Sequence, residues 1–164
     1  PEAVVDDDAA VHAKVLIETC LDSCRRCIRR AGKQQDARTA VNAGADAVLV
    51  SNHGGRILDF NRAALEALPE VVDAVGAKVP VLLDSGIRSG GDIVKALALG
   101  AKAVLAGRPI AWGVSAFGPR GVERVFAIFS EEMKRVLCMT GTAGVGAITK
   151  SILIRDENGG PARL

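Results

Sequence analysis

The residues best suited to chemistry stand at three places in the middle of the chain, each just after a short apolar run. The first is Ser51-Asn52-His53-Gly54-Gly55-Arg56. A histidine exchanges a proton near neutral pH, and an arginine three residues on can hold a carboxylate through two parallel hydrogen bonds. Such a pair, in a loop loosened by two glycines, sets a base beside a carboxylate clamp; the same residues equally suit a turn whose histidine caps a helix. The second place is Asp84-Ser85-Gly86-Ile87-Arg88, followed by Ser89-Gly90-Gly91-Asp92. Here a carboxylate can accept from sugar-type hydroxyls, a glycine lets the backbone approach a phosphate, and an arginine supplies charge. The third is Gly107-Arg108-Pro109, where the free amides of a starting helix form an anion site. Taken singly, each of the last two is an ordinary turn.

The elements that must position these residues follow from the apolar pattern. Residues 47–50, 81–84 and 103–106 read as buried parallel strands, and a weaker strand signal over residues 14–17 opens the series. Helical spacing runs over 62–75, with Leu65, Leu68 and Val72, and over 92–99, where Gly100 is the stop. A last helix spans 122–139, with Val122, Val125, Phe126, Phe129, Met133, Val136 and Leu137 on its apolar side. Repeated strand-turn-helix units of this length predict an α/β fold with a parallel sheet. Four such units amount to half of a (β/α)8 barrel, because a complete one usually takes about 250 residues. In barrels ligands meet the C-terminal strand ends, and two anion-prone loops in succession match the phosphate site often built there. Half a barrel has open edges that another chain, dimerisation or rearrangement must cover, so a homo-oligomer is expected.

Bulk properties narrow the function classes. The chain has 164 residues, 49% hydrophobic and 24% charged, the composition of a soluble globular protein. Lys+Arg number 21 against 19 Asp+Glu, for a net charge of +2, and the basic residues are scattered apart from Arg25, Arg26, Arg29 and Arg30. Nucleic acid is therefore not an expected partner. The apolar runs fall well short of the roughly 20 residues that span a bilayer, so no membrane segment is expected. Glu2, Asp6, Asp7 and Asp8 do not make a signal peptide, and the cysteines are expected to be reduced. Pro1 in place of a methionine suggests that the true start is missing or processed. Ala162-Arg163-Leu164 has the small-basic-leucine form read by the peroxisomal import receptor, with the cytoplasm as the alternative. The spacing of Cys20, Cys24 and Cys27 resembles the iron-sulfur loop of radical enzymes, but Arg26 stands where an aromatic is usual. The better reading puts Leu16, Cys20, Cys24, Cys27, Ile28 and Ala31 on one helical face, as small apolar residues, with no metal bound. Cys138 is expected in the core, Trp112 in packing rather than stacking, and His12 in solvent.

Taken together, the blocks Asp36-Ala37-Arg38, Ala43-Gly44-Ala45-Asp46-Ala47, Val50 to Arg56, Leu68-Pro69-Glu70-Val71-Val72, Leu83 to Arg88, Lys95 to Ala101 and Gly107-Arg108-Pro109 resemble, in order and spacing, the FMN-dependent 2-hydroxy-acid oxidases and dehydrogenases of the glycolate oxidase type. The match runs from about residue 36 to about residue 149. The resemblance implies the C-terminal half of a TIM (β/α)8 barrel: an FMN-binding part over 36–155, a divergent segment over 1–35 and a flexible tail over 156–164. It implies that His53 is the catalytic base and that His53 and Arg56 bind substrate. It further implies that Ser51, Asp84, Ser85, Gly86, Ile87, Arg88, Gly107 and Arg108 bind FMN, the last of them its phosphate. The implied reaction oxidises a small (S)-2-hydroxy acid, glycolate or lactate, to a 2-oxo acid, with hydrogen peroxide as co-product in the oxidases. Two departures matter. Arg29 stands where the family has a lysine against the flavin ring, and an arginine does not replace a point-like ammonium. The chain also has no tyrosine, whereas the family's substrate site includes tyrosines from the preceding half. The alternative is a non-catalytic half-barrel that binds flavin or phosphate. Type 2 isopentenyl diphosphate isomerases have partly similar motifs, but the spacing of His53 and Arg56 favours the hydroxy-acid family.

Overall fold

The computed structural model describes residues 33–154 and two short strands before them, β1 (Val15–Leu16) and β2 (Cys27–Arg29). The order continues with α1 (Gln34–Asn42), β3 (Ala47–Val50), α2 (Ala64–Val75), β4 (Val81–Asp84), α3 (Gly90–Ala98), β5 (Ala103–Leu105), α4 (Arg108–Phe117) and α5 (Pro119–Met139). The strands form one parallel sheet in the order β1-β5-β4-β3-β2.

The central strands are continuous apolar runs because both faces of the sheet are covered. Val48, Val50, Val81, Leu83 and Val104 pack into the main core with the helices. The alternate residues Leu49, Leu82, Ala103 and Leu105 form a second buried cluster, as the two-residue pleat requires. Register aligns the strand ends. Val50 lies beside Leu83 and Asp84 beside Leu105, so the loops that follow leave the sheet side by side.

The helices close the other side. In α2 the buried set is Ala64, Ala67, Leu68, Val71 and Val75; Leu65 and Val72 only pack against its margin, so the inward face is rotated by about one residue from the expected one. Helix α3 begins with a capping box, in which Ser89 Oγ accepts from Asp92 N at 3.2 Å and Asp92 Oδ2 accepts from Ser89 N at 3.1 Å. It ends before Gly100, whose φ of +104° suits only glycine well. Helix α5 buries Phe129, Met133 and Leu137, one turn apart. It crosses α4 backbone to backbone: a Cβ on Gly113 would lie 2.7 Å from the Gly121 carbonyl oxygen, and one on Gly121 would run into the Gly113 carbonyl.

The strand expected near residue 15 is present: β1 lies beyond β5, pairing Val15 with Val104. Two expectations fail. Beside β3 lies Cys27–Arg29, inside the segment read as one helical face. Its residues pair with Ala47, Val48 and Leu49, and backbone pairing with a neighbouring strand overrides a helical spacing of side chains. Cys20 and Cys24, like His12 and the terminal tripeptide, lie outside the described residues. Cys138 is exposed, because it sits one position past Leu137 and off the α5 apolar stripe. Among the described residues, no helix is long and apolar enough to cross a membrane, and no group of His, Cys, Asp or Glu stands ready for a metal ion.

Candidate functional site

The loop after β3 turns through a short 3-10 segment, His53–Gly55. His53, Gly54 and Gly55 take φ values of 55°, 66° and 74°. The two glycines adopt this left-handed region freely; the histidine does so at a cost. Three contacts hold the turn. His53 N donates to Ser51 Oγ at 3.1 Å, Gly54 N donates to Ser85 Oγ at 3.0 Å, and Arg108 Nη2 donates to the Gly54 carbonyl at 2.8 Å. A Cβ on Gly54 would lie 2.7 Å from that Arg108 nitrogen, so the contact needs a glycine. Below the turn, Ser51 Oγ donates to Asp84 Oδ2 at 2.5 Å and Ser85 Oγ donates to the same oxygen at 3.2 Å.

Side by side, the ends of β3, β4 and β5 enclose an open cavity of about 260 Å³. It is lined by His53, Arg56, Asp84, Ser85, Gly86, Ile87, Arg88, Gly107 and Arg108, every residue singled out from the sequence except Ser51. Ser51 instead lines a neighbouring cavity of about 420 Å³, together with Lys33, Asp36, His53 and Arg62. His53 borders both spaces. Gly54, Leu105 and Ala111 complete the first lining. Leu105 and Ala111 were missed because no chemical property marks them; only the packing of β5 and α4 brings them to the wall.

The electrostatics favour an anion. Three guanidinium groups face one carboxylate, Asp84. Helix α4 opens on the cavity at Arg108, and the amides of its first turn have no partner within the helix. Pro109 at the second position costs nothing there, since it has no amide to satisfy. Arg88 anchors one guanidinium nitrogen on the Ile87 carbonyl at 2.6 Å and lies 5.4 Å from the centroid of the Trp112 ring. Trp112 is 57% exposed with Arg88 over its ring, so the expectation of packing rather than stacking is corrected. It is a platform for a cation, one turn along α4 from Arg108.

A family model described as FMN-dependent dehydrogenase matches residues 31–155. An L-lactate dehydrogenase of Pseudomonas syringae pv. syringae is 51% identical over 121 residues, which is 74% of this chain and 32% of that protein. A peroxisomal (S)-2-hydroxyacid oxidase of Arabidopsis thaliana is 46% identical over 125 residues, 76% of this chain and 34% of the oxidase. A mandelate oxidase variant solved with a monooxide FMN adduct superposes with a TM-score of 0.71 at 46% identity, over 74% of this chain and 39% of its own. The chain thus spans about a third of the length of the curated relatives it matches, and its strand-helix units form part of a TIM-type α/β barrel. By the extent of these matches, the chain belongs to the FMN-dependent dehydrogenase family.

Proposed function

We propose that this chain carries the FMN-phosphate grip and the catalytic base of an enzyme that oxidises a small (S)-2-hydroxy acid, of the glycolate or lactate type, to a 2-oxo acid. The observation that supports it best is that His53 and Arg56 line the same cavity as Arg88, Arg108 and the start of α4.

The residues present fit one end of FMN. The cavity, about 260 Å³, lies just below the roughly 300–1,000 Å³ of whole-ligand clefts, a size suited to a phosphate and its sugar chain. A Cβ on Gly86 would meet nothing within 4 Å, so its backbone is open to a close approach. Arg88, Arg108 and the first turn of α4 would hold the phosphate, with Gly86, Ile87 and Gly107 supplying backbone. Asp84, Ser51 and Ser85 would face the sugar hydroxyls. Bound FMN supplies the two-electron acceptor.

Arg56 pairs with the substrate carboxylate and fixes the hydroxyl-bearing carbon. His53, its amide held by Ser51 Oγ, accepts the proton of the 2-hydroxyl. The C2–H bond breaks, its hydrogen and two electrons leave to the acceptor, and the C–O bond becomes the carbonyl of the 2-oxo acid. Oxygen as the final electron acceptor would give hydrogen peroxide. The peroxisomal relative favours that oxidase branch and a peroxisomal location, and the functional unit is a homo-oligomer.

A second reading is a flavin- or phosphate-binding module without turnover, favoured by the third of its relatives' length that the chain spans. A visible spectrum after incubation with FMN and desalting, followed by anaerobic addition of glycolate or lactate, separates the two. Retained flavin that bleaches is the expected result. Retained flavin that does not bleach favours the module, and loss of flavin on desalting refutes both.

A further inference from the structure

We infer that Asp84, Ser51 and Ser85 form a positioning cluster for the base loop, with Ser85 its decisive member. This deepens the proposed function and rests on it, since it assumes that His53 is the base.

The argument starts from a residue that is out of place. Ser85 has φ of 84° without being glycine, a conformation that L side chains adopt at a cost. The next residue, Gly86, has φ of 87° and takes it freely. A glycine at 85 would serve the backbone better, so the serine must be explained by its hydroxyl. That hydroxyl lies within hydrogen-bond reach of Gly54 N at 3.0 Å, Asp84 Oδ2 at 3.2 Å and Ser51 Oγ at 3.2 Å.

Counting protons resolves the roles. A serine hydroxyl has one proton and two acceptor sites. The ionised carboxylate of Asp84 only accepts, and both serine oxygens lie on its Oδ2. Asp84 therefore draws both hydroxyl protons to itself. The lone pairs of the two serines then point away from it, and each takes one amide of the base loop: Ser51 that of His53, Ser85 that of Gly54. Two consecutive amides are thereby held by two hydroxyls that one carboxylate orients. His53, itself left-handed at 55°, is fixed from both of its flanks, while Arg108 holds the Gly54 carbonyl from the opposite side.

The test compares Ser85→Gly with Ser85→Ala in the FMN-loaded 164-residue chain. Both remove the hydroxyl, but only the glycine relieves the left-handed strain. Amide hydrogen exchange at Gly54 should accelerate by roughly two- to tenfold in both, the loss of one modest hydrogen bond. Thermal midpoints should diverge, with the glycine variant at least as stable as its parent and the alanine variant less so. The chain has only two histidines, so in a His12→Gln background the ring signal of His53 stands alone and should broaden or shift in both variants. Unchanged exchange at Gly54, or loosening in the alanine variant alone, overturns the positioning role. So does complete loss of FMN from the glycine variant, which would make Ser85 a cofactor ligand first; a single lost sugar contact only weakens binding. If the loop loosens as expected and turnover of lactate stays at the parent rate, Ser85 keeps its role and the assignment of His53 as base fails.

Discussion

Replacing Gly121 with alanine tests whether the α4–α5 crossing governs both stability and the anion site. A Cβ at this position would run into the Gly113 carbonyl oxygen, and the reciprocal Cβ on Gly113 would lie 2.7 Å from the Gly121 oxygen. The neighbour is backbone, not the end of a flexible side chain, so the helices must separate. Overpacking of this kind costs about 1–3 kcal/mol, and a rigid carbonyl neighbour puts the cost at the upper end. The better helix propensity of alanine returns about 1 kcal/mol. The net loss is then about 2 kcal/mol, or roughly 4–8 °C in the melting midpoint of a domain this size. Because α4 starts at Arg108 on the cavity wall, pushing it outward should also weaken FMN. Urea denaturation and an FMN titration read the two effects. Gly144→Ala is the control: its backbone is extended at φ of 173°, and a Cβ there would meet nothing within 4 Å, so both quantities should stay put. A Gly121→Ala protein that melts at or above the parent temperature would refute the close crossing.

Three further outcomes concern the site. His53→Gln should cut turnover by about a hundred- to ten-thousandfold while flavin remains bound; near-parent rates by steady-state assay would move the base elsewhere. Arg56→Lys should raise KM for the 2-hydroxy acid by about tenfold or more, with a smaller change in kcat, since lysine cannot grip a carboxylate in two places. An unaltered KM would place the carboxylate clamp on another residue. Arg88→Ala and Arg108→Ala should weaken FMN far more than riboflavin in fluorescence titrations, because only FMN carries the phosphate. Equal losses for both ligands would mean that these arginines support the cavity and do not contact the anion.

The fold was legible where burial is complete. Val48 to Val50 and Val81 to Leu83 are apolar without alternation because residues on both faces are buried, one set packing with the helices and the alternate set into a second apolar cluster. The strand-end loops were legible as chemistry because parallel strands in register deliver their ends to one place. β2 was not legible. Three residues within a cysteine run fit a helix by spacing, and only pairing with Ala47, Val48 and Leu49 makes them a strand. Nor could the sequence pair Ser-Gly reveal that Ser85 as well as Gly86 would be left-handed. The Arg88–Trp112 contact joins the loop after β4 to helix α4 of the next unit, and the sequence had suggested plain packing for the tryptophan.

The place of β1 in the sheet sets a timetable for synthesis. Cys27 meets its partner Ala47 soon after both emerge from the ribosome, whereas Val15 waits for Val104, about 90 residues later and roughly 4–18 s at ordinary elongation rates. The sheet must therefore grow from β2 and β3 outward through β4 and β5, and of these five strands the one made earliest is the last to be paired. Until then the nascent chain presents an unfinished, apolar sheet edge, the form most exposed to misassociation. A pause in translation before β5 would lengthen that exposure; one after it would not.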